Sequence, residues 1–259
     1  MAKVNVVILR TAGTNCDEET EFAFKKAGAR AERIHINRIL KNKHLLQDWQ
    51  ILVIPGGFTY GDDVAAGKIL ANEINAHLAE ETRKFVDAGK LVLGICNGFQ
   101  VLVKMGLLPG FEDSTDQEAT LTFNDSGKFE DRWVYLKVVS AKSPFIDDGG
   151  IIYLPVAHAE GKFVPGDDDA LARLKSQRQV IFQYVDEEGR PAGYPCNPNG
   201  SVENIAGICD PTGRVLGLMP HPERYVEPTQ HPRWTRQNPE AKGEGDGLII
   251  FLNAVRFFA

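Results

Sequence analysis

Four short segments of this 259-residue chain hold residue types that could do nucleophilic chemistry. The first is Gly94-Ile95-Cys96-Asn97-Gly98. Cys96 sits where an apolar run ends and a helical pattern begins. A sharp strand-to-helix turn would lift the nucleophile onto its tip. Side chains two before and two after it would collide there, which is a physical reason for glycine at both places. The N-terminus of the following helix stabilises a thiolate. The plainer reading is a small buried Cys between two packing glycines, since Cys is often buried.

A thiolate nucleophile needs a histidine as acid and base, and the histidine needs an orienting group. Two segments offer the same spacing: Pro220-His221-Pro222-Glu223 and His158-Ala159-Glu160. In extended backbone, positions i and i+2 point to one side, so Glu223 can support the imidazole of His221. The bland alternative for either pair is a surface His beside a solvated carboxylate. Residue types leave both open. The prolines stiffen the backbone around His221 and favour it. The fourth segment is Pro55-Gly56-Gly57-Phe58, whose backbone N–H groups could approach a ligand and serve as oxyanion donors. It could equally be a tight turn that needs Gly. Neither common nucleotide-binding glycine loop occurs in the chain.

The elements around these segments follow from periodicity. Val4 to Leu9, Arg33 to Ile36, Ile51 to Ile54 and Leu91 to Ile95 read as strands. Helices are expected over Asp17 to Ala27, with acids first and Lys25 and Lys26 last, over Asn72 to Ala88, and over Phe99 to Met105. Apolar strands alternating with helices mean an α/β fold, a mainly parallel sheet with helices on both faces. The second half reads as strands at Trp133 to Val139, Ile151 to Leu154 and Val180 to Tyr184, without clear helices between them. That predicts an antiparallel addition to the sheet or a second small sheet. A strand over Val215 to Met219 leads into the His221 segment. Residues 226–246 are polar and rich in Pro and Gly and read as a loop excursion. Gly247 to Phe258 closes as a helix. With no repeat or linker, 1–259 reads as one domain.

Composition narrows the function classes. The chain carries 29 Lys and Arg against 35 Asp and Glu, a net charge of −6, with no basic block. That is not the footprint of a nucleic-acid binder. The longest apolar run, Leu248 to Leu252, is five residues, far short of the roughly 20 needed to span a bilayer. The N-terminal run from Met1 to Val6 goes straight into a strand pattern, so no signal peptide is expected. Cys16, Cys96, Cys196 and Cys209 form no C-x-x-C pair and imply no metal site or disulfide scaffold, which points to a reducing, cytoplasmic setting. Packing is the default role for the three besides Cys96. Cys16 is the one worth checking for solvent access.

The Cys96 and His221 segments together resemble the class I, or triad, glutamine amidotransferases. Pro55 to Asp63, Asn15-Cys16-Asp17 and Asn197 to Ser201 resemble, more narrowly, the family of glutaminase subunits of phosphoribosylformylglycinamidine synthase. The likeness runs from the first strand to Arg224 and implies a flavodoxin-like amidotransferase fold. It implies Cys96 as nucleophile, His221 as acid and base, and Glu223 as its orienter. The N–H groups of Gly57 and Asn97 would form the oxyanion hole, with Gly56 the fallback for the first. Gln100 would contact bound glutamine. His158 and Glu160 match a family His-Gly-Glu-Gly segment and would line the glutamine pocket or a partner interface. Ala159 in place of Gly, the turn Leu9 to Thr14 and the length of 226–246 depart from the family pattern. The implied reaction releases ammonia from glutamine without a metal or cofactor. ATP and Mg²⁺ would sit on a large synthetase subunit, and in many members of the family a small third subunit bridges the two. The alternative is a glutaminase serving another acceptor synthase.

Overall fold

The computed structural model describes residues 3–111, 117–147 and 149–259. Met1 and Ala2, the head of the N-terminal run, lie outside them. The chain runs β1 (Asn5–Arg10), α1 (Asp17–Lys26), β2 (Arg30–His35), α2 (Ile36–Lys41), β3 (Ile51–Ile54), α3 (Lys68–Asp87), β4 (Leu91–Ile95) and α4 (Asn97–Lys104). It continues through β5 (Ala119–Thr122), β6 (Glu130–Val138), β7 (Ile151–His158), β8 (Lys162–Pro165), α5 (Asp168–Ser176) and β9 (Val180–Val185). Then come β10 (Ile205–Cys209), β11 (Val215–Leu218), α6 (Trp234–Gln237) and α7 (Leu248–Arg256).

One nine-stranded sheet has the order β2-β1-β3-β4-β11-β10-β9-β6-β7. The strands from β2 to β11 are parallel. The rest of the sheet, through β10, β9, β6 and β7, is antiparallel. The remaining pair, β5 and β8, forms a separate two-stranded sheet. Both forms of antiparallel addition expected of the second half are therefore present. Strands β3, β4 and β11 are buried at every position, as parallel strands covered on both faces must be. Helices α1 and α7 pack together through Phe24 and Phe251, whose rings meet edge to face at 4.9 Å. Among the described residues, no helix is long and apolar enough to cross a membrane.

Several expectations need correcting. The second strand ends at His35, and Ile36 begins an unexpected helix, α2. Its first turn is capped by the His35 ring, which accepts from the Asn37 N–H at 3.2 Å. Helix α3 starts at Lys68 because Gly67, at φ 73°, ends the preceding turn there. The second half does contain a helix, α5, whose start is fixed by Asp167 accepting from the Ala170 N–H at 2.8 Å. Strand β10 was not expected. Residues 226–246 hold a 3₁₀ turn, Pro228–Gln230, and the short α6.

The sheet order reverses at β1 and β3, which makes their carboxyl ends the natural crevice of an α/β sheet. The loops that follow β1, β3, β4 and β11 carry Cys16, Gly57, Cys96 and His221 respectively. Four of the five parallel strands thus deliver their candidate residues to one end of the sheet.

Candidate active site

Cys96 is forced into an unusual backbone state. It sits between β4 and α4 with φ 51° and ψ −106°, a conformation that non-glycine residues avoid and that costs of order 1–3 kcal/mol. Its neighbours explain why the turn is possible. A Cβ on Gly98 would lie 1.8 Å from the Ile54 carbonyl oxygen, and one on Gly94 2.5 Å from Leu102 Cδ1. Glycine is thus required at both places, as the sequence reading expects. The Cys96 thiol points toward the Ala157 carbonyl at 3.7 Å. Asn97 opens α4, so its backbone N–H is among those a helix cannot satisfy internally.

His221 and Glu223 do face each other. Nδ1 lies 2.6 Å from Glu223 Oε1, and both side chains are buried. The reason is not extended backbone. Pro222–Arg224 form a 3₁₀ turn, with proline at its first position, that folds the carboxylate back onto the ring. The His221 N–H donates to the Pro155 carbonyl of β7 at 2.8 Å, which pins the segment to the sheet. Burial alone would lower the imidazole's pKa. The Glu223 carboxylate, helped by the sulfurs of Cys96 and Cys16, reverses this and raises it well above the usual value. Nε2 is buried and, among the described residues, has no partner at hydrogen-bond distance, so the ring keeps one nitrogen toward the cavity. Such contacts tighten when substrate binds.

Two cavities meet at Cys96. One, of about 300 Å³, is lined by Gly57, Asp62, Cys96, Gln100, His158 and Glu160 among others. The other, of about 520 Å³, touches Cys16, Gly57, Cys96, Asp131, His221 and Arg224. Gly57 and Cys96 line both. Gly57 has φ 147°, and a Cβ there would lie 2.7 Å from the Gly13 carbonyl oxygen. Of the residues named from the sequence, Gln100, His158 and Glu160 line the first cavity and His221 the second, while Gly57 and Cys96 line both.

Side chains that sequence reasoning missed tie the site together. Asn97 Oδ1 accepts from the Thr59 hydroxyl at 2.7 Å, while its Nδ2 donates to Gln100 Oε1 at 2.9 Å and Asp62 Oδ1 at 3.0 Å. It clamps the Gly57 loop to α4. Gln100 Nε2 donates in turn to the Glu160 carbonyl. Asn124 holds His158: its Nδ2 donates to the His158 and Lys128 carbonyls, leaving Oδ1 to accept from Nδ1, 3.1 Å away. Burial pushes His158 down to about 3. Glu160 does not reach that ring; it accepts from the Ala66 N–H at 3.3 Å. The one signal for these partners was Asp62 and Asn97 lying inside segments already singled out.

Cys16 is buried, not solvent-accessible, and burial raises its pKa. Its sulfur donates to Asn15 Oδ1 at 3.1 Å and accepts from Arg224 Nη2 at 3.1 Å. Cys16, His221 and Glu223 present ligand atoms within 4.8 Å of one another. As arranged they are not a zinc site. Two ligands of one tetrahedral zinc stand about 3.3 Å apart, whereas Nδ1 and Oε1 are at hydrogen-bond distance and a guanidinium rests on the sulfur. Burial pushes Cys209 up to about 12. All four thiols are free.

Residues 3–258 match the family model described as CobB/CobQ-like glutamine amidotransferase domain. The chain is 49% identical over 261 residues to phosphoribosylformylglycinamidine synthase subunit PurQ of Dehalococcoides mccartyi, covering 99% of this chain and 98% of that protein. It is 43% identical over 270 residues to the PurQ of Archaeoglobus fulgidus, covering 98% and 97%. Among solved structures, a chain in the structure of PurLQS from Thermotoga maritima superposes with a TM-score of 0.75 at 32% identity, with both chains covered completely. A glutamine amidotransferase of the same organism, at 17% identity and TM-score 0.57, shares the fold.

Proposed function

This chain belongs to the CobB/CobQ-like glutamine amidotransferase family, and from that premise we propose that it is the glutaminase subunit of phosphoribosylformylglycinamidine synthase. It hydrolyses glutamine to glutamate and ammonia and supplies the ammonia to a synthetase subunit in purine biosynthesis. Whole-length identity to PurQ proteins supports the assignment. The observation that carries the chemistry is Cys96 on a strained turn beside a buried His221–Glu223 pair.

In this reading Cys96 attacks the side-chain amide carbon. Backbone N–H groups of Gly57 and Asn97 receive the developing oxyanion. His221 takes the thiol proton and gives it to the departing ammonia; Glu223 holds the ring and stabilises its charged form. Water, deprotonated by His221, then hydrolyses the thioester. Gln100, His158 and Glu160 line the smaller cavity, which takes the glutamine. No metal or cofactor of this chain enters these steps. ATP and Mg²⁺ act on the PurL-like partner that uses the ammonia, and a small PurS-like subunit bridges the two. Residues 1–259 form one amidotransferase domain with an excursion at 226–246. Free thiols suit a reducing cytoplasm.

The test is amidine formation from formylglycinamide ribonucleotide by this chain mixed with the synthetase subunit, ATP, Mg²⁺ and glutamine. Wild type supports product from glutamine, and Cys96→Ser only from added ammonium. Ammonia release without product in the wild type would assign the glutaminase to another acceptor synthase.

A further inference from the structure

Arg224 follows Glu223 directly in the 3₁₀ turn, yet the two side chains do not pair. Among the described residues, the second carboxylate oxygen of Glu223, Oε2, is buried and has no hydrogen-bond partner. A buried carboxylate ordinarily takes up a guanidinium within reach, and does so through two parallel bonds. This guanidinium is close. Arg224 Nη2 lies 3.1 Å from Cys16 Sγ. That sulfur, a Glu223 oxygen and a ring nitrogen of His221 all lie within 4.8 Å of one another. The unpartnered Oε2 therefore needs an explanation.

Two groups at the start of α1 hold the guanidinium elsewhere. Glu19 Oε1 accepts from Arg224 Nε at 3.3 Å, and the Cys16 sulfur accepts from Nη2. The sulfur can accept because its own proton is directed to Asn15 Oδ1, 3.1 Å away. Burial raises the thiol's pKa, which keeps that proton in place. The position of the sulfur is fixed as well. The Cys16 N–H donates to the Gly56 carbonyl at 3.2 Å, and a Cβ on Gly56 would lie 3.1 Å from Sγ. The consequence falls on His221, whose Nδ1 faces Glu223 Oε1 at 2.6 Å. A guanidinium on Oε2 would offset the negative charge that supports the ring. Unshared in a buried site, that charge acts on the ring alone. The other titratable groups facing the ring are Cys96, from the turn before α4, and His158 at the end of β7, which burial keeps neutral.

We propose that Cys16 and Glu19 are positioning residues: they hold Arg224 away from Glu223 and so reserve that carboxylate for the acid–base histidine. The inference rests on the glutaminase reading above and concerns the groups behind His221, not the pocket that takes glutamine.

The test is steady-state glutamine hydrolysis by the chain assembled with its synthetase subunit, in single and double variants. Cys16→Ala removes one acceptor and frees Nη2 to turn to Oε2. It is expected to lower kcat/KM about tenfold and to move the limb of the pH profile set by His221 to lower pH by about one unit. Cys16→Ser keeps an acceptor and should retain most of the activity. Glu19→Gln, at a partly exposed position, should cost about threefold. The deciding variant combines Cys16→Ala with Arg224→Gln, which removes the guanidinium as well. It should recover most of the loss and return the limb to its place. Loss without recovery overturns the proposal, because a cavity left by the missing sulfur does not depend on Arg224; so does a Cys16→Ala enzyme whose rate and profile are unchanged. If Cys16→Ala does not assemble, Glu19→Gln with and without Arg224→Gln carries the same comparison. An assembly whose wild type hydrolyses no glutamine overturns the glutaminase reading itself and this inference with it.

Discussion

His158 and His221 stand in segments of one pattern, a histidine with a glutamate two residues on, and both rings are almost fully buried. Their charge states are opposite. His221 faces a carboxylate through Nδ1 and its pKa is raised, whereas His158 faces a neutral amide through Nδ1 and is pushed down to about 3. Burial is common to both, so the partner decides the charge. A proline-led 3₁₀ turn folds Glu223 onto its histidine. After β7 the chain bends, and Glu160 reaches the Ala66 N–H instead. Even the packing is parallel. A Cβ on Gly56 would lie 2.8 Å from His221 Cε1, and one on Gly161 2.3 Å from His158 Cε1. The lesson is that a spacing of two does not define a catalytic pair; local backbone geometry does.

This contrast can be broken or sharpened by experiment. His221→Ala should lower glutamine-dependent turnover of the assembled enzyme by about 10³-fold, against less than about tenfold for His158→Asn. Ammonium-dependent turnover should persist in both. Equal losses would erase the distinction. Glu223→Gln should cost on the order of 10²-fold in kcat, because the ring loses the carboxylate that stabilises its charged form. Conversely, Asn124→Asp gives His158 the carboxylate it lacks. Its titration, followed by NMR of the ring, should move up by about one to three pH units. A ring that stays neutral regardless would show that burial, not the partner, sets its state.

Smaller effects follow from the flanking glycines and from linkage. Gly56→Ala and Gly161→Ala should each destabilise by about 1–3 kcal/mol in urea melts, and Gly56→Ala alone should also slow turnover. For His158 the unfolded chain takes up a proton near its usual pKa, while the native ring refuses it until about pH 3. The unfolded state therefore binds more protons in that window. This contribution is fully present above the usual value and is lost as pH falls, by at most about 1.4 kcal/mol per pH unit. His221 has the other sign: its contribution is present below the usual value and is lost as pH rises through the raised one. Urea melts between pH 7 and 5 should show a shallower acid limb in His158→Asn.

Local features were legible. The apolar strands of the parallel half, the acids and lysines at the ends of α1, and the glycines around Cys96 each express a constraint between neighbours in sequence. The prolines correctly marked a stiff segment at His221, but their effect is a 3₁₀ turn, which no alternation of side chains announces. The short α2 and the strand β10 carry too little periodicity to be seen. The start of α5 is marked by its run of aspartates, Asp167 to Asp169. Asn124, Asp62 and Arg224 act on partners roughly 30 to 200 residues away, and nothing in their own surroundings reveals the pairing.

The sheet's outermost strand has a further consequence. On β7 the Tyr153 N–H is taken by Asp246 at 2.8 Å, Pro155 has no N–H, and the Pro155 carbonyl holds the His221 N–H. The His231 ring of the 226–246 excursion lies 5.5 Å from those of Trp133 and Tyr153. Exposed strand edges invite pairing with other chains. Here the Tyr153 N–H and the Pro155 carbonyl are taken by the chain's own segments, one of which carries His221, the proposed acid–base residue. A foreign strand that docked on β7 at Pro155 would have to unseat His221, so protection of this edge and the seat of the proposed acid–base residue share one hydrogen bond.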